Sequence, residues 1–172
     1  MSKFAFIAVT AVTAMVAPLA EAHAAPSGPD AAICSRGGEP AVLVRVDGFK
    51  AHTGTLRVQI YGDKPEDFLA KGRWLKRIEV PVPVRAGPME VCVGLPRPGA
   101  YAVAVRHDVN GNGKSGDRSD GGGFSRNPGL SLLSLKPNYR DVVITVGGQP
   151  KPVDVVLNYV RGLSIGPIRE AR

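Results

Sequence analysis

The sequence predicts an all-β fold: an antiparallel seven-stranded sandwich, immunoglobulin-like or prealbumin-like, with one short helix. Three observations predict it. Apolar and polar residues alternate in seven short runs between Val42 and Tyr159, and a period of two turns one face of a strand to a core. Gly, Pro, Asn and Asp cluster between the runs, where the chain must reverse. Strands do not alternate with long helices, which excludes a parallel α/β sheet.

Val42, Val44 and Val46 alternate with Leu43, Arg45 and Asp47 in the first strand, which Gly48 ends. After a turn over 51–54, Leu56, Val58 and Ile60 share a face in a second strand, expected to form a hairpin with the first. Asp63-Lys64-Pro65-Glu66 reads as a helix start: Asp63 can cap, Pro65 suits a first turn, and Glu66 lies three residues on. That helix is expected over 64–71, stopped by Gly72, with Phe68 and Leu69 packing it onto the sheet rim. Ile78, Val80, Val82 and Val84 form the third strand. Pro81 and Pro83 on its outward face mark a sheet edge, since proline cannot donate to a ladder.

Met89, Val91, Val93 and Leu95 are the fourth inward set, with Cys92 on the opposite face. Tyr101, Val103 and Val105 are the fifth, with Ala102 and Ala104 opposite. A long polar connection from Asp108 to Arg140 follows. Val142, Ile144 and Val146 make the sixth set, Gly147-Gly148 signals a hairpin, and Val153, Val155, Leu157 and Tyr159 make the seventh.

Around this domain, taken as 41–161, the chain divides into three further parts. Residues 1–24 read as a signal peptide: Lys3, an apolar run from Phe4 to Ala20, then Ala22-His23-Ala24. A membrane anchor is the rival, but the apolar part is short for a bilayer span, and no transmembrane segment is expected in the mature chain. Residues 25–40, rich in Ala, Pro, Gly and Ser, read as a flexible leader, tied down only if Cys34 is bonded, and 162–172 as a mobile basic tail. The protein is therefore expected to be periplasmic or secreted. The net charge of +7 survives loss of residues 1–24, which removes Lys3 and Glu21 together. Such a charge serves solubility and also suits an anionic envelope glycan or lipid. Aromatics are 6% of the chain and no nucleic-acid motif is present, so nucleic acid is not an expected partner.

Cys34 and Cys92 are the two cysteines. In an oxidising compartment they are expected to pair, reaching across the outer face of the fourth strand; two separate thiols are the alternative. The bridge would close a loop of about 59 residues, worth about 4 kcal/mol by loop-closure entropy.

The densest polar chemistry lies in the fifth connection, from His107 to Asp120. Asp108, Asn110, Asn112, Gly113 and Lys114 fall where a calcium loop places its first ligands, its turn glycine and a carbonyl. Asp117 or Asp120 would close the shell. The twelfth position is Ser119 rather than a bidentate Glu, so a bound calcium would be held no more tightly than in the millimolar sites of extracellular modules. The competing reading needs no ion: Asx side chains bond nearby backbone and glycines accept positive φ. On that reading the loop is scaffold, the expected state. No other cofactor is expected.

Two further patterns fail on inspection. Gly113-Lys114-Ser115 ends like a phosphate loop, but Asp108 stands where that motif needs glycine. His107, Asp108 and Ser125 compose a hydrolase triad on paper, without a Gly-x-Ser-x-Gly elbow.

The run Leu95-Pro96-Arg97-Pro98-Gly99-Ala100-Tyr101, continuing through His107-Asp108-Val109-Asn110-Gly111-Asn112-Gly113-Lys114 and then Gly123-Phe124-Ser125-Arg126-Asn127, resembles the bacterial domain-of-unknown-function family 2141. The resemblance implies a small exported all-β protein and no assigned reaction. Asp108, Asn110, Asn112, Gly113, Phe124 and Ser125 sit on the family's motif. Its aspartate after the lysine is displaced here to Asp117, and Ser119 to Gly123 replaces its usual Gly-x-Pro-x-Glu. A more distant likeness, in the Pro-Gly-x-Tyr lead into a strand, is to the prealbumin-like sandwiches attached to carboxypeptidases and surface adhesins.

Together these features are read as an exported, non-enzymatic binding or accessory module of the cell envelope. The alternatives are a structural envelope protein contacting anionic glycan or lipid and, third, a hydrolase using His107, Asp108 and Ser125.

Overall fold

A computed structural model describes residues 25–114 and 117–168; the expected signal peptide lies outside them. The described residues form ten strands in two sheets. The strands are β1 (Ala41–Asp47), β2 (Thr55–Tyr61), β3 (Lys76–Pro81), β4 (Met89–Gly94), β5 (Gly99–Asp108), β6 (Gly121–Phe124), β7 (Val143–Val146), β8 (Pro150–Val156), β9 (Asn158–Arg161) and β10 (Ser164–Pro167). The small sheet has the order β4-β1-β8. The large one runs β10-β9-β6-β5-β2-β3, with β7 also on β5. Valines 42, 44 and 46 of β1 and Leu56, Val58 and Ile60 of β2 are fully buried between the sheets, as their alternation requires.

The all-β sandwich holds, but the expected seven strands are ten, and one pairing is not antiparallel. Leu43 pairs with Cys92 of β4 on one side and, in parallel, with Pro152 of β8 on the other. Neither expected hairpin forms. β1 and β2 lie in different sheets, as do β7 and β8, because each connection crosses the core instead of reversing beside itself. The Pro81 edge is as expected: β3 ends the large sheet.

The helix expected over 64–71 is a single 3-10 turn, Pro65–Asp67. Leu69 has φ 59°, a left-handed conformation that breaks helical continuity. Phe68 and Leu69 nevertheless pack on the sheet. With Trp74, Leu130 and Tyr139 they cover Tyr61, Ala102, Ala104, Phe124 and Val142, a second apolar cluster on the outer face of the large sheet. Helix α2 (Tyr139–Val142) closes that cluster.

The six-residue helix lies in the leader, as α1 (Ala31–Arg36). With Cys34 bonded, the leader is tied down. Ser27 adds a bridge to the open side of β4, donating to the Glu90 carbonyl at 2.7 Å and accepting from Cys92 N–H at 3.2 Å. Asp30 accepts from Gly94 N–H at 2.8 Å and pairs with Lys76. A Cβ on Gly94 would stand 2.6 Å from Ile33, so glycine here lets α1 lie against the sheet. Cys34 then reaches Cys92, and the disulfide forms as expected. Cys92 is fully buried, because α1 covers the face that points away from the core. At the other end, 164–167, expected to be mobile tail, is β10, paired to β9 with Ile165 opposite Val160.

Candidate functional site

Strand β5 is the longest among the described residues, and its alternation sorts the candidate residues onto two faces. Tyr101, Val103, Val105 and His107 point to the core. Ala102, Ala104, Arg106 and Asp108 share the outer face.

The loop after β5 closes on itself. Asp108, only 5% exposed, accepts from Asn112 N–H at 3.2 Å and from Gly113 N–H at 2.7 Å. Asn110 and Asn112 accept from the amides of Asn112 and Lys114, at 3.1 and 2.8 Å. These are Asx turns, the behaviour of short amide and carboxylate side chains. Gly54 (φ 76°) fits against this corner, where a Cβ would lie 2.0 Å from the Asp108 carbonyl oxygen.

The expected ion ligands separate into two groups. Asp108 (3.3 Å), Asp120 (2.9 Å) and the Lys114 carbonyl all meet the guanidinium of Arg106. Asp117 instead accepts from Asn110 at 2.8 Å, Asn112 at 3.4 Å, and both the amide and hydroxyl of Ser119. Those Ser119 and amide bonds hold its carboxyl below the ordinary carboxylate value. Among the described residues no three His, Cys, Asp or Glu side chains converge as a metal cage. The arrangement suits a guanidinium: the fork of Arg106 spans two carboxylates and a carbonyl.

The three candidate catalytic residues are each engaged. His107 is fully buried. Its Nε2 lies 2.8 Å from the Thr53 carbonyl, which can only accept, so Nε2 carries the proton. Nδ1 then accepts from the Tyr159 hydroxyl at 2.7 Å, and that hydroxyl accepts from Lys50 N–H at 3.2 Å. Burial lowers the imidazole pKa against the raising effect of Thr53, Asp120 and Asp108, and burial pushes Tyr159 up to about 12. Ser125 is fully buried too. β6 pairs with β5 over 104–107 and β7 over 99–102, so Val103 falls between the two ladders. Ser125 fills that gap: its hydroxyl accepts from Val103 N–H at 3.0 Å and donates to the Val142 carbonyl at 2.5 Å. Asp108 lies on the opposite face of β5 from His107, so the structure does not assemble the triad.

Sequence reasoning missed Arg106 as the loop's centre, Thr53 and Tyr159 as the partners of His107, and a groove on the outer face. Arg106 was within reach: it shares the period-two face of Asp108. The groove was not, because its floor is β6. Gly121 and Gly123 face inward, where a Cβ would come within 2.4 Å of the Tyr159 ring and 2.6 Å of Val155. Gly122 faces outward and leaves a hollow beside Phe124. Arg57, Lys71, Trp74, Arg77 and Lys136 border it.

Asn127 completes the motif. Its side chain donates to the Asp154 carbonyl at 3.0 Å and accepts from Val156 N–H at 2.8 Å, fastening β6 to β8. Each residue of Gly123-Phe124-Ser125-x-Asn127 thus has a structural task. A family model described as "Uncharacterized protein conserved in bacteria (DUF2141)" matches residues 44–154. No curated protein and no solved structure matches the chain.

Proposed function

We propose, for a chain that belongs to the bacterial DUF2141 family, a non-enzymatic binding module exported to the cell envelope. The outer-face groove carries this reading. It gathers cationic, aromatic and apolar side chains on a concave surface, the usual character of a ligand site. The engagement of His107 and Ser125 in structural bonds supports a non-catalytic role, and the disulfide suits an oxidising compartment. For the loop, the same reading makes Arg106 the resident cation and calcium dispensable. A structural envelope protein touching anionic glycan or lipid is the second reading, favoured by the net charge of +7.

The test is a thermal-shift screen of the purified mature protein with anionic glycans and lipids, beside a panel of ester and glycoside substrates. Stabilisation by a ligand without turnover is the expected outcome. Turnover lost in both His107→Gln and Ser125→Ala would reinstate the hydrolase. Retention on heparin or lipopolysaccharide that vanishes with salt and needs no groove residue would favour the structural role.

A further inference from the structure

Two adjoining hollows on the outer face of the large sheet share Asp120, Gly122, Phe124 and Leu135. They form one trough with ends of opposite character. The first, about 720 Å³, is the cationic end. The second, about 490 Å³, is lined mainly by Leu130, Leu132, Val160, Leu163 and Ile165, beside Asp117 and Arg118.

Charge at the cationic end is not balanced internally. Arg57 and Arg77 share Glu79, at 2.6 and 3.0 Å, and Arg106 is held by Asp108 and Asp120. Lys71 and Lys136 enter no ion pair among the described residues. At the other end Leu132 is 38% exposed, Leu135 47% and Leu163 96%, apolar surface that water covers at a cost. Gly122 lies between the ends. A Cβ there would meet only the Val105 carbonyl, at 3.6 Å, so the hollow is open because the residue is glycine.

We infer that this trough binds a single-chain anionic amphiphile, a long-chain carboxylate of the fatty-acid class. The chain lies over Gly122 and Phe124 between the leucines, and the carboxylate meets Lys71 and Lys136. The inference rests on the binding-module reading and names its ligand. A bilayer is the rival occupant, since Leu163 on the trough wall is almost fully exposed. The concave floor at Gly122 favours one chain over a flat membrane.

The probe is cis-parinaric acid, fluorescent and below its micelle-forming concentration, titrated into the full mature protein with oleate and oleyl alcohol as competitors. Expected is saturable one-to-one binding, displaced by oleate. Oleyl alcohol, which lacks the charge, should compete about fivefold less well. Gly122→Leu fills the hollow and should weaken binding about tenfold or more. Leu135→Ser, on an exposed side chain, should weaken it in the same direction and guards against misfolding of the first variant. Lys71→Gln with Lys136→Gln should lower both affinity and its salt dependence.

Absence of saturable binding overturns the inference, as does full affinity in Gly122→Leu and Leu135→Ser, or equal competition by the alcohol. Binding to anionic vesicles but not to free oleate gives the trough to a membrane instead. If oleate fails while an acidic glycan stabilises the protein and Gly122→Leu abolishes that effect, the ligand class falls and the binding module stands.

Discussion

The loop after β5 and the groove beside it meet at Asp120, yet they end in opposite states. In the loop, every carboxylate has found an amide, a hydroxyl or the Arg106 guanidinium. In the groove, Lys71, Lys136 and the leucines face solvent. The loop has the richer pattern in the sequence and the smaller remainder in the structure. A dense polar motif signals how much bonding a segment can do, and a turn can consume all of it. What is left for a ligand lies where the side chains looked ordinary.

The glycines of β6 test this contrast most severely, because they lie beneath both regions. Gly121→Val and Gly123→Val should each destabilise by about 3 kcal/mol in urea unfolding, since the new atoms strike the Tyr159 ring or the backbone of β8. Gly122→Val should stay within about 0.5 kcal/mol of the unaltered protein or gain slightly, as β-branched residues suit strands. Equal losses at all three positions would erase the distinction between the packed face and the open one.

Asp108→Ala comes next, at about 2 kcal/mol, for Gly113 N–H loses its acceptor, Asn112 N–H keeps only Asn110, and Arg106 loses a partner. Millimolar calcium should leave the melting temperature of the unaltered protein unchanged. A rise that Asp108→Ala removes would turn the loop back into an ion site.

A pH scan probes the relay on the inner side. The folded imidazole of His107 has its pKa below the ordinary 6.5. As pH falls below that value the unfolded chain takes up a proton before the folded one. Stability is therefore full above about 6.5 and declines as pH drops toward the folded pKa. His107→Gln should flatten that decline in chemical denaturation series at stepped pH. The smallest effect belongs to the groove: Lys71→Gln and Lys136→Gln should each change stability by less than about 0.5 kcal/mol. A larger loss would mean that these lysines are part of the closed network.

The alternation of β1 and β2 was legible because most of one face is buried and most of the other is not. β4 and β5 are covered on both faces, by α1 and by the second apolar cluster, and kept a visible period only because their outer positions carry smaller or polar residues. The Cys34–Cys92 bridge was legible from the parity that sets Cys92 opposite Val91 and Val93. β6 was illegible for a physical reason. Three of its four residues are glycine, so a strand defined by close approach leaves no side-chain period to read. β10 was hidden in the same way by its composition: Gly162 (φ 60°) makes the turn, but the basic residues around it read as tail. The parallel pairing of β1 with β8 had no local signal at all. In the candidate site, the members of the loop were legible and their bonding was not. Asp108 and Arg106 share a face by simple parity, but which of them answers the other depends on where Asp120 returns.

That parallel pair also bears on how quickly the molecule can assemble. Val44 lies beside Val153, so the central strand of the small sheet waits for a partner more than a hundred residues downstream. Closing so long a loop must precede the bonds that reward it, and folds dominated by such contacts reach the native state in milliseconds to seconds. The large sheet can start from the neighbouring β2 and β3. The small sheet cannot be completed until β8 arrives, and a chain halted at residue 146 would leave one edge of β1 bare, a template for pairing with another copy.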